Sequence, residues 1–423
     1  MSADPARSIP PAAPLTVDGK RLWKSLMTMA EIGATEKGGS RRLALSDLDR
    51  EGRDLFCAWA RHAGCTVSVD SMGNIFARRP GRRPDAAPVA TGSHLDTQPT
   101  GGKFDGVYGV LAGLEVVRRL NELEIETAAP IEVVVWTNEE GARFAPSMVG
   151  SGVFAGVYDQ DWAYAREDLD GLRLGDELDR IGYRGAERCG DHPIAAFFEA
   201  HIEQGPILEA RQRTIGRVEG VQGMNWYDVT LTGAESHAGT TPMDRRRDAY
   251  LAAARVADRL AALAEAHGPH GVATVGQVQV FPNSRNTVPG RVAFSVDLRH
   301  PEAEVLAAME RGLHHALETV CEPVGIAREV ARISAEAPIR FDPDCIAAVD
   351  GAARALGYDP VPMVSGAGHD AGFLAAVAPT AMIFAPCADG ISHNEDESAE
   401  PEDLAAGASV LLNAMLARAG GSA

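Results

Sequence analysis

The chain has 423 residues, 45% of them apolar, enough for a sizeable core and, at this length, for two domains. Its formal net charge of −19 excludes a general nucleic-acid binder, which carries a basic face, although a few local arginines could still receive an anionic substrate. The six cysteines are scattered with no CxxC pair, which reads as reduced thiols in a cytosolic protein, and no apolar run reaches the length of about 18 residues that a membrane span requires.

The N-terminal stretch MSADPARSIPPAAPLTVDGK is polar and rich in Pro and Ala. It lacks the apolar segment of a secretory signal, and its first dozen residues are expected to be flexible. Helices are predicted over 18–35 and 45–64. CTVSVDSMGNIFARRPG alternates and then turns, like a hairpin. A short apolar strand runs through DAAPVATGSHLDT, a helix through 107–123, and a buried-type strand through 131–141 that ends in polar residues. This strand–loop–helix–strand order predicts an α/β fold, a mixed sheet with helices on its faces. Ligands of such sheets bind beyond the carboxyl ends of strands, where both HLD and NEE fall.

The middle segment differs. NWYDVTLTGAES and the stretch 271–300 alternate with period two, as antiparallel strands do. A long amphipathic helix lies between them and another follows at 301–320, making a compact α+β unit. From about 340 the α/β pattern returns, with a helix at 342–356, the glycine-rich loop SGAGHDAGFLA, a strand TAMIFAPC and a final helix at 401–418. The expected organisation is a domain of residues 18–220 plus 335–423, interrupted by an inserted domain of residues 221–334.

The chemistry gathers in a few places. His94 and Asp96 stand two apart at a strand end, and Asp105 follows a Gly-Gly turn. Glu139 and Glu140 are adjacent at the next strand end; His201 and His393 lie farther along. Imidazoles and carboxylates without thiolates suit a borderline divalent ion such as Zn²⁺, Mn²⁺, Co²⁺ or Ni²⁺. Two ions about 3.5–4 Å apart need a bridging carboxylate, and Asp105, on a loop bent by glycines, is placed for it. Each feature also has a plainer reading: solvated side chains, an ordinary turn, a charged surface.

Taken together, GSHLDTQPTGGKFDGVYGV, TNEEGARFAPSMVGSGVFAG, HIEQGP, SHAGTTPMDRRRDA, NTVPGRVAFSVDLRHP, GHDA and SHNEDE resemble the M20 metallohydrolase superfamily, in its amidase/hydantoinase/carbamoylase branch. That branch holds N-carbamoyl-L-amino acid hydrolases, β-ureidopropionases and allantoate amidohydrolases. The resemblance spans about residues 20–418 and implies a metallohydrolase catalytic domain with an inserted lid/dimerisation domain. It also implies two divalent ions per subunit. His94 and His393 would be terminal ligands on opposite sides, Asp105 the bridge, and Glu140 and His201 the remaining ligands, with the division of Glu140 between the ions left open. Glu139 would be the general base and Asp96 would hold the imidazole of His94 in its working tautomer.

For the substrate, a small ureido-carboxylate, the resemblance implies that Arg299 clamps the carboxylate and Asn286 hydrogen-bonds the same end. His237 would reach the carbonyl oxygen across the interface of a homodimer. Gln204 would touch the carbamoyl group, the backbone at Gly368 would line the pocket, and His369 would support the ligands. From the residues alone, Arg299 could equally be a solvated strand-end arginine or a partner of Asp297, His237 an ordinary turn histidine, and Arg245–Arg247 a solvated helix start. The function expected is hydrolysis of the ureido C–N bond of N-carbamoyl amino acids. Allantoate hydrolysis is the alternative, with an aminoacylase or dipeptidase, or an inactive ligand-binding relative, behind it.

Overall fold

The structure is a computed structural model that describes residues 14–420; the flexibility expected of the first dozen residues falls outside them. Two compact units emerge, one of the residues up to Glu219 together with those from Phe341 onward, the other of Gly220–Arg340.

The first unit opens with α1 (Gly19–Ala30) and α2 (Asp47–His62). Ser46 caps α2 by accepting from the Asp49 amide, and Asp47 and Asp49 suit the positive end of the helix dipole. A hairpin of β1 (Thr66–Val69) and β2 (Ile75–Arg79) follows, then β3 (Val89–His94), α3 (Val107–Glu122) and β4 (Ile131–Trp136). Three short helices come next, α4 (Val149–Phe154), α5 (Gln160–Tyr164) and α6 (Leu174–Ile181). After them run β5 (Ala196–Ile202), α7 (Ile207–Ala210) and β6 (Gly216–Val221).

In the second unit the order is β7 (Gly223–Thr232), β8 (Ser236–His237), α8 (Ala249–Ala266), β9 (Val272–Thr274), β10 (Val278–Phe281), β11 (Thr287–Val288), β12 (Arg291–His300), α9 (Ala303–Cys321) and β13 (Ala327–Glu336). The chain then passes β14 (Ile339–Arg340) and completes the first unit with α10 (Pro343–Ala355), β15 (Val361–Ser365), α11 (Asp370–Leu374), β16 (Thr380–Ala385) and α12 (Pro401–Ala419).

The large sheet has the order β1-β2-β4-β3-β5-β16-β6-β14, with β15 also on β6. Its centre is parallel: β4 with β3, β3 with β5, and β5 with β16. Every residue of β3, β4, β5 and β16 is buried, as parallel strands covered on both faces must be. Helices α3 and α12 pack against this centre and each other. The carboxyl ends of four parallel strands therefore open together, and His94 is the last residue of β3.

The second unit is an antiparallel sheet, β10-β12-β7-β13 with β9 on β12. Strand β7 alternates buried and exposed residues; the buried face, with Tyr227, Val229 and Leu231, packs on Val256, Met309 and Leu313 of α8 and α9. The α+β reading of this segment stands, but its last strand was not anticipated. AREVARISAE in β13 exposes most of its residues, so the apolar alternation that marks a strand is missing, and the unit ends at Arg340 rather than 334. Helix α1 stops at Ala30 instead of 35; Gly33, at φ +79°, lies beyond it, where helical backbone cannot continue.

Candidate metal centre

Each carboxyl end of the parallel strands delivers a side chain to one place. His94 closes β3, Glu139 and Glu140 follow β4, His201 is the penultimate residue of β5, and His393 lies on the loop after β16. Asp105 enters from the loop before α3, where Gly106 adopts φ +67°. A Cβ at Gly106 would stand 2.3 Å from the His94 ring, so a glycine is what lets this loop lie on the imidazole.

The two oxygens of Asp105 face different partners. Oδ1 is 3.2 Å from Nε2 of His201 and 3.7 Å from Nε2 of His94. Oδ2 is 3.3 Å from Nε2 of His393, which is 3.5 Å from Oε2 of Glu140. Two clusters share Asp105, His94–Asp105–His201 and Asp105–Glu140–His393, and a third, Glu199–His201–His369, shares His201; each has donor atoms within 4.8 Å of one another. Tetrahedral bonds of about 2.0–2.2 Å put neighbouring ligand atoms roughly 3.3–3.6 Å apart, and the contacts of the imidazoles with Asp105 and Glu140, 3.2–3.7 Å, lie close to that range.

The imidazoles are oriented for the task. Nδ1 of His94 contacts the main-chain carbonyl of Asp96 at 2.8 Å, and Nδ1 of His201 that of Ile202 at 2.9 Å. A carbonyl only accepts, so Nδ1 of each ring carries a hydrogen and Nε2 faces the cluster, where an ion would displace any proton it shares with Asp105. The donor set thus fits divalent ions. Asp96 meets the His94 ring through its backbone carbonyl, and its carboxylate is turned elsewhere. Oδ1 and Oδ2 accept instead from the amides of Glu139 (3.3 Å) and Glu140 (3.2 Å), which sets the turn after β4, while its backbone carbonyl holds His94. Glu140 is further held by the amide and side chain of Gln98.

Electrostatics follow from burial. Burial alone would push the Asp105 carboxyl up, but hydrogen bonds from His201, His393 and His94 hold it well below the usual carboxylate range. Burial drives Glu139 well above its ordinary value, only partly offset by His94. Glu140 rises to about 7 through burial and the charge of Asp105. His393 is raised, chiefly by its hydrogen bond to Asp105. Glu139 Oε2 lies 3.4 Å from Nε2 of His94 yet belongs to none of the clusters.

Gln204, at φ +56°, donates to Asp105 Oδ2 at 2.8 Å. His369 stacks edge-on to His201 with centroids 4.6 Å apart, and its Nε2 meets Ser365 Oγ at 2.8 Å; burial and the charge of His201 keep it well below the normal imidazole value. Gly368, exposed, precedes it.

Four groups escaped the sequence reading. Glu199 and Asp370, both fully buried, stand behind the two clusters that share Asp105; Glu199 accepts from Ser93 Oγ and the Ala371 amide. Burial lifts Asp370 well above its usual value, and the charge of Glu199 lifts it further. Ser392 and Glu397 bracket His393. Each of the four lies inside a stretch that carries a recognised ligand or pocket residue, and two spacings were available as signals: Glu199 shares a strand face with His201, and Glu397 follows His393 by four.

In the second unit, β11 pairs with β8, Thr287 opposite His237, and Asn286 accepts the Ala238 amide through its backbone carbonyl. His237 and Asn286 therefore sit together. The amides of Gly239 and Thr240 donate to Nδ1 of His237, so the hydrogen of the neutral ring is on exposed Nε2. Arg299 lies at the other end of β12, opposite Met224, whereas the β11 end of β12 begins opposite Thr232. Eight extended residues, roughly 27 Å, separate them, so one chain cannot bring Arg299 and Asn286 to one end of a small substrate. Arg299 holds Asp297 through Nε and Nη2 at 2.8–3.1 Å, one of the two plain readings its sequence allowed.

The chain belongs to peptidase family M20/M25/M40, which matches residues 90–417. Within it, the chain is similar to the hydantoinase/carbamoylase amidases. A crystal structure of one, from Burkholderia multivorans, is 60% identical with a TM-score of 0.94, covering 96% of this chain and 98% of that one. An N-carbamoyl-L-amino-acid amidohydrolase of Rhizobium meliloti is 52% identical over 400 residues, 95% of this chain and 96% of its own. An allantoate amidohydrolase of Escherichia coli K12 is 34% identical over 393 residues, 92% and 95% of the two chains.

Proposed function

We propose that this chain hydrolyses the ureido C–N bond of N-carbamoyl-L-amino acids, releasing the amino acid, CO₂ and ammonia. The observation that carries the reading is the division of Asp105, one oxygen to each of two histidine-bearing clusters, with Glu139 outside both and 3.4 Å from His94. The likeness to the Rhizobium meliloti enzyme supports the substrate class; allantoate is the second reading, supported by the Escherichia coli relative.

His94 and His201 would hold one divalent ion (Zn²⁺, Mn²⁺, Co²⁺ or Ni²⁺), Glu140 and His393 a second, and Asp105 both. Such ions supply Lewis acidity, which makes water a nucleophile near neutral pH and draws charge from a carbonyl. Glu139, whose burial raises its proton affinity, takes the proton of the attacking water. The water oxygen bonds to the carbamoyl carbon, the amino-acid nitrogen leaves with the proton Glu139 returns, and the carbamate product falls apart to CO₂ and ammonia.

The exposed Nε2–H of His237 is a donor suited to the developing oxyanion. Nε and Nη2 of Arg299, the edge now on Asp297, match a substrate carboxylate. Because β12 separates the two, we assign His237 and Asn286 to one subunit of a homodimer and Arg299 to the other. The six cysteines are buried free thiols, which fits a reducing, cytoplasmic setting, and no helix among the described residues is long and apolar enough to cross a membrane.

The test is ammonia release from N-carbamoyl-L-methionine, N-carbamoyl-β-alanine and allantoate by chelator-stripped protein, with and without Mn²⁺. Ion-dependent turnover of the first, at least tenfold above the others, is expected. Preference for allantoate selects the second reading, and peptide cleavage without ammonia release rejects both.

A further inference from the structure

Beyond the ligands themselves, we propose that Glu397 is the residue that positions the bridging Asp105, and that it acts as a hydrogen-bonding clamp. This deepens the dinuclear reading above and rests on it.

Glu397 follows His393 by four residues and is 2% exposed. Its Oε1 accepts the amides of Phe104 (2.8 Å) and Asp105 (3.2 Å). Its Oε2 lies 2.9 Å from Ser392 Oγ, which is itself 2.8 Å from Asp105 Oδ2. One side chain thus ties down the backbone of the Asp105 loop and holds in place the Ser392 hydroxyl, whose one hydrogen it shares with the Asp105 carboxylate. The loop is shaped to it: a Cβ at Gly102 would sit 2.0 Å from the Glu397 carboxyl carbon. Residues 102–105 belong to no helix or strand, so no regular backbone ladder replaces the clamp. Without it, two buried amides lose their acceptor, a loss that backbone groups rarely tolerate.

The two clusters differ in how they depend on this clamp. His94 and His201 are fixed by strand ends and main-chain carbonyls. His393 is half exposed, on an irregular loop at φ +54°, and its neighbour Ser392 is the link between Glu397 and Asp105. Loosening Glu397 should therefore open the Asp105–Glu140–His393 cluster first.

The experiment is calorimetric titration of chelator-stripped protein with Mn²⁺, with the metal-free melting temperature measured alongside. Glu397→Ala should weaken one of two Mn²⁺ sites by about 10–100-fold, the range seen when groups supporting metal ligands are lost. Glu397→Gln should stay within about threefold of the parent: its oxygen can accept both amides and its NH₂ can donate to Ser392 Oγ, leaving the hydroxyl for Asp105. Two unchanged Mn²⁺ sites in Glu397→Ala, or equal losses in Ala and Gln, overturn the clamp. Should Glu397→Ala not fold, Ser392→Ala decides: weakening of the same site sustains the proposal, and unchanged binding overturns it. Asp105→Asn separates the two levels, because normal Mn²⁺ uptake there removes the dinuclear reading itself.

Discussion

The base and the ligands are neighbours in the chain but not in kind. Glu140 is tied to Gln98 and lies beside His393, whereas Glu139 meets the clusters only through His94, at 3.4 Å. A neutral isostere at 139 keeps the shape and removes the proton acceptor. Glu139→Gln should retain the ion content of the parent by elemental analysis and lose about 10²–10⁴-fold in kcat, the typical worth of a positioned base. If ions are lost with activity, Glu139 is a ligand and the assignment of the base is wrong. At this scale the sequence was most informative: the residues named for the centre converge on the same strand ends. It was silent on atoms. That Asp96 serves His94 through its carbonyl and the next turn through its carboxylate is a matter of side-chain direction that residue spacing does not contain.

Among the elements, the junction between the Asp105 loop and α3 is the most tightly built. Gly106 holds φ +67° and ψ −49°, a conformation L side chains avoid, and the His94 ring occupies the space a Cβ would need. Gly106→Ala should cost about 1–3 kcal/mol from backbone strain. It should also weaken ion binding at the His94–His201 cluster, because the ring has to move. Gly351→Ala is the control: that glycine is exposed in α10 with nothing within 4 Å of a new Cβ, and there alanine should stabilise by up to about 1 kcal/mol. Chemical denaturation and ion titration read both; a Gly106→Ala protein with normal stability and binding would show that the ring is not held by this contact. Elements with a strong apolar signal, amphipathic in α2 and near-continuous in α3, β4 and α12, were legible in the sequence. The helices between β4 and β5 are only five to eight residues long, too short for a 3.6-residue period to stand out, and β13 carries charge where a half-buried strand shows apolar residues.

Over the whole molecule, all three candidate clusters found among the described residues lie in the first unit, while the second has its own core around Val229, Leu298 and Leu313. The inserted organisation was readable because the pattern changes from buried parallel-type strands to period-two strands and back. Near the expected return at 334, β13 is charged and mostly exposed and gives no apolar alternation to read. A ligand stabilises only the structure that binds it, by about 2.7 kcal/mol when free ligand is a hundredfold above Kd. Ions should therefore protect one unit selectively. In hydrogen exchange with Mn²⁺ against excess chelator, amides of β3, β4 and β5 that exchange through opening of the first unit should speed up by roughly a hundredfold on ion removal, the same free energy expressed as an opening constant. Amides of β7 and β12, which open with the second unit, should keep their rates. Equal acceleration in both would mean that the chain unfolds as one cooperative body, and no change in either would mean that ions do not bind where the clusters are.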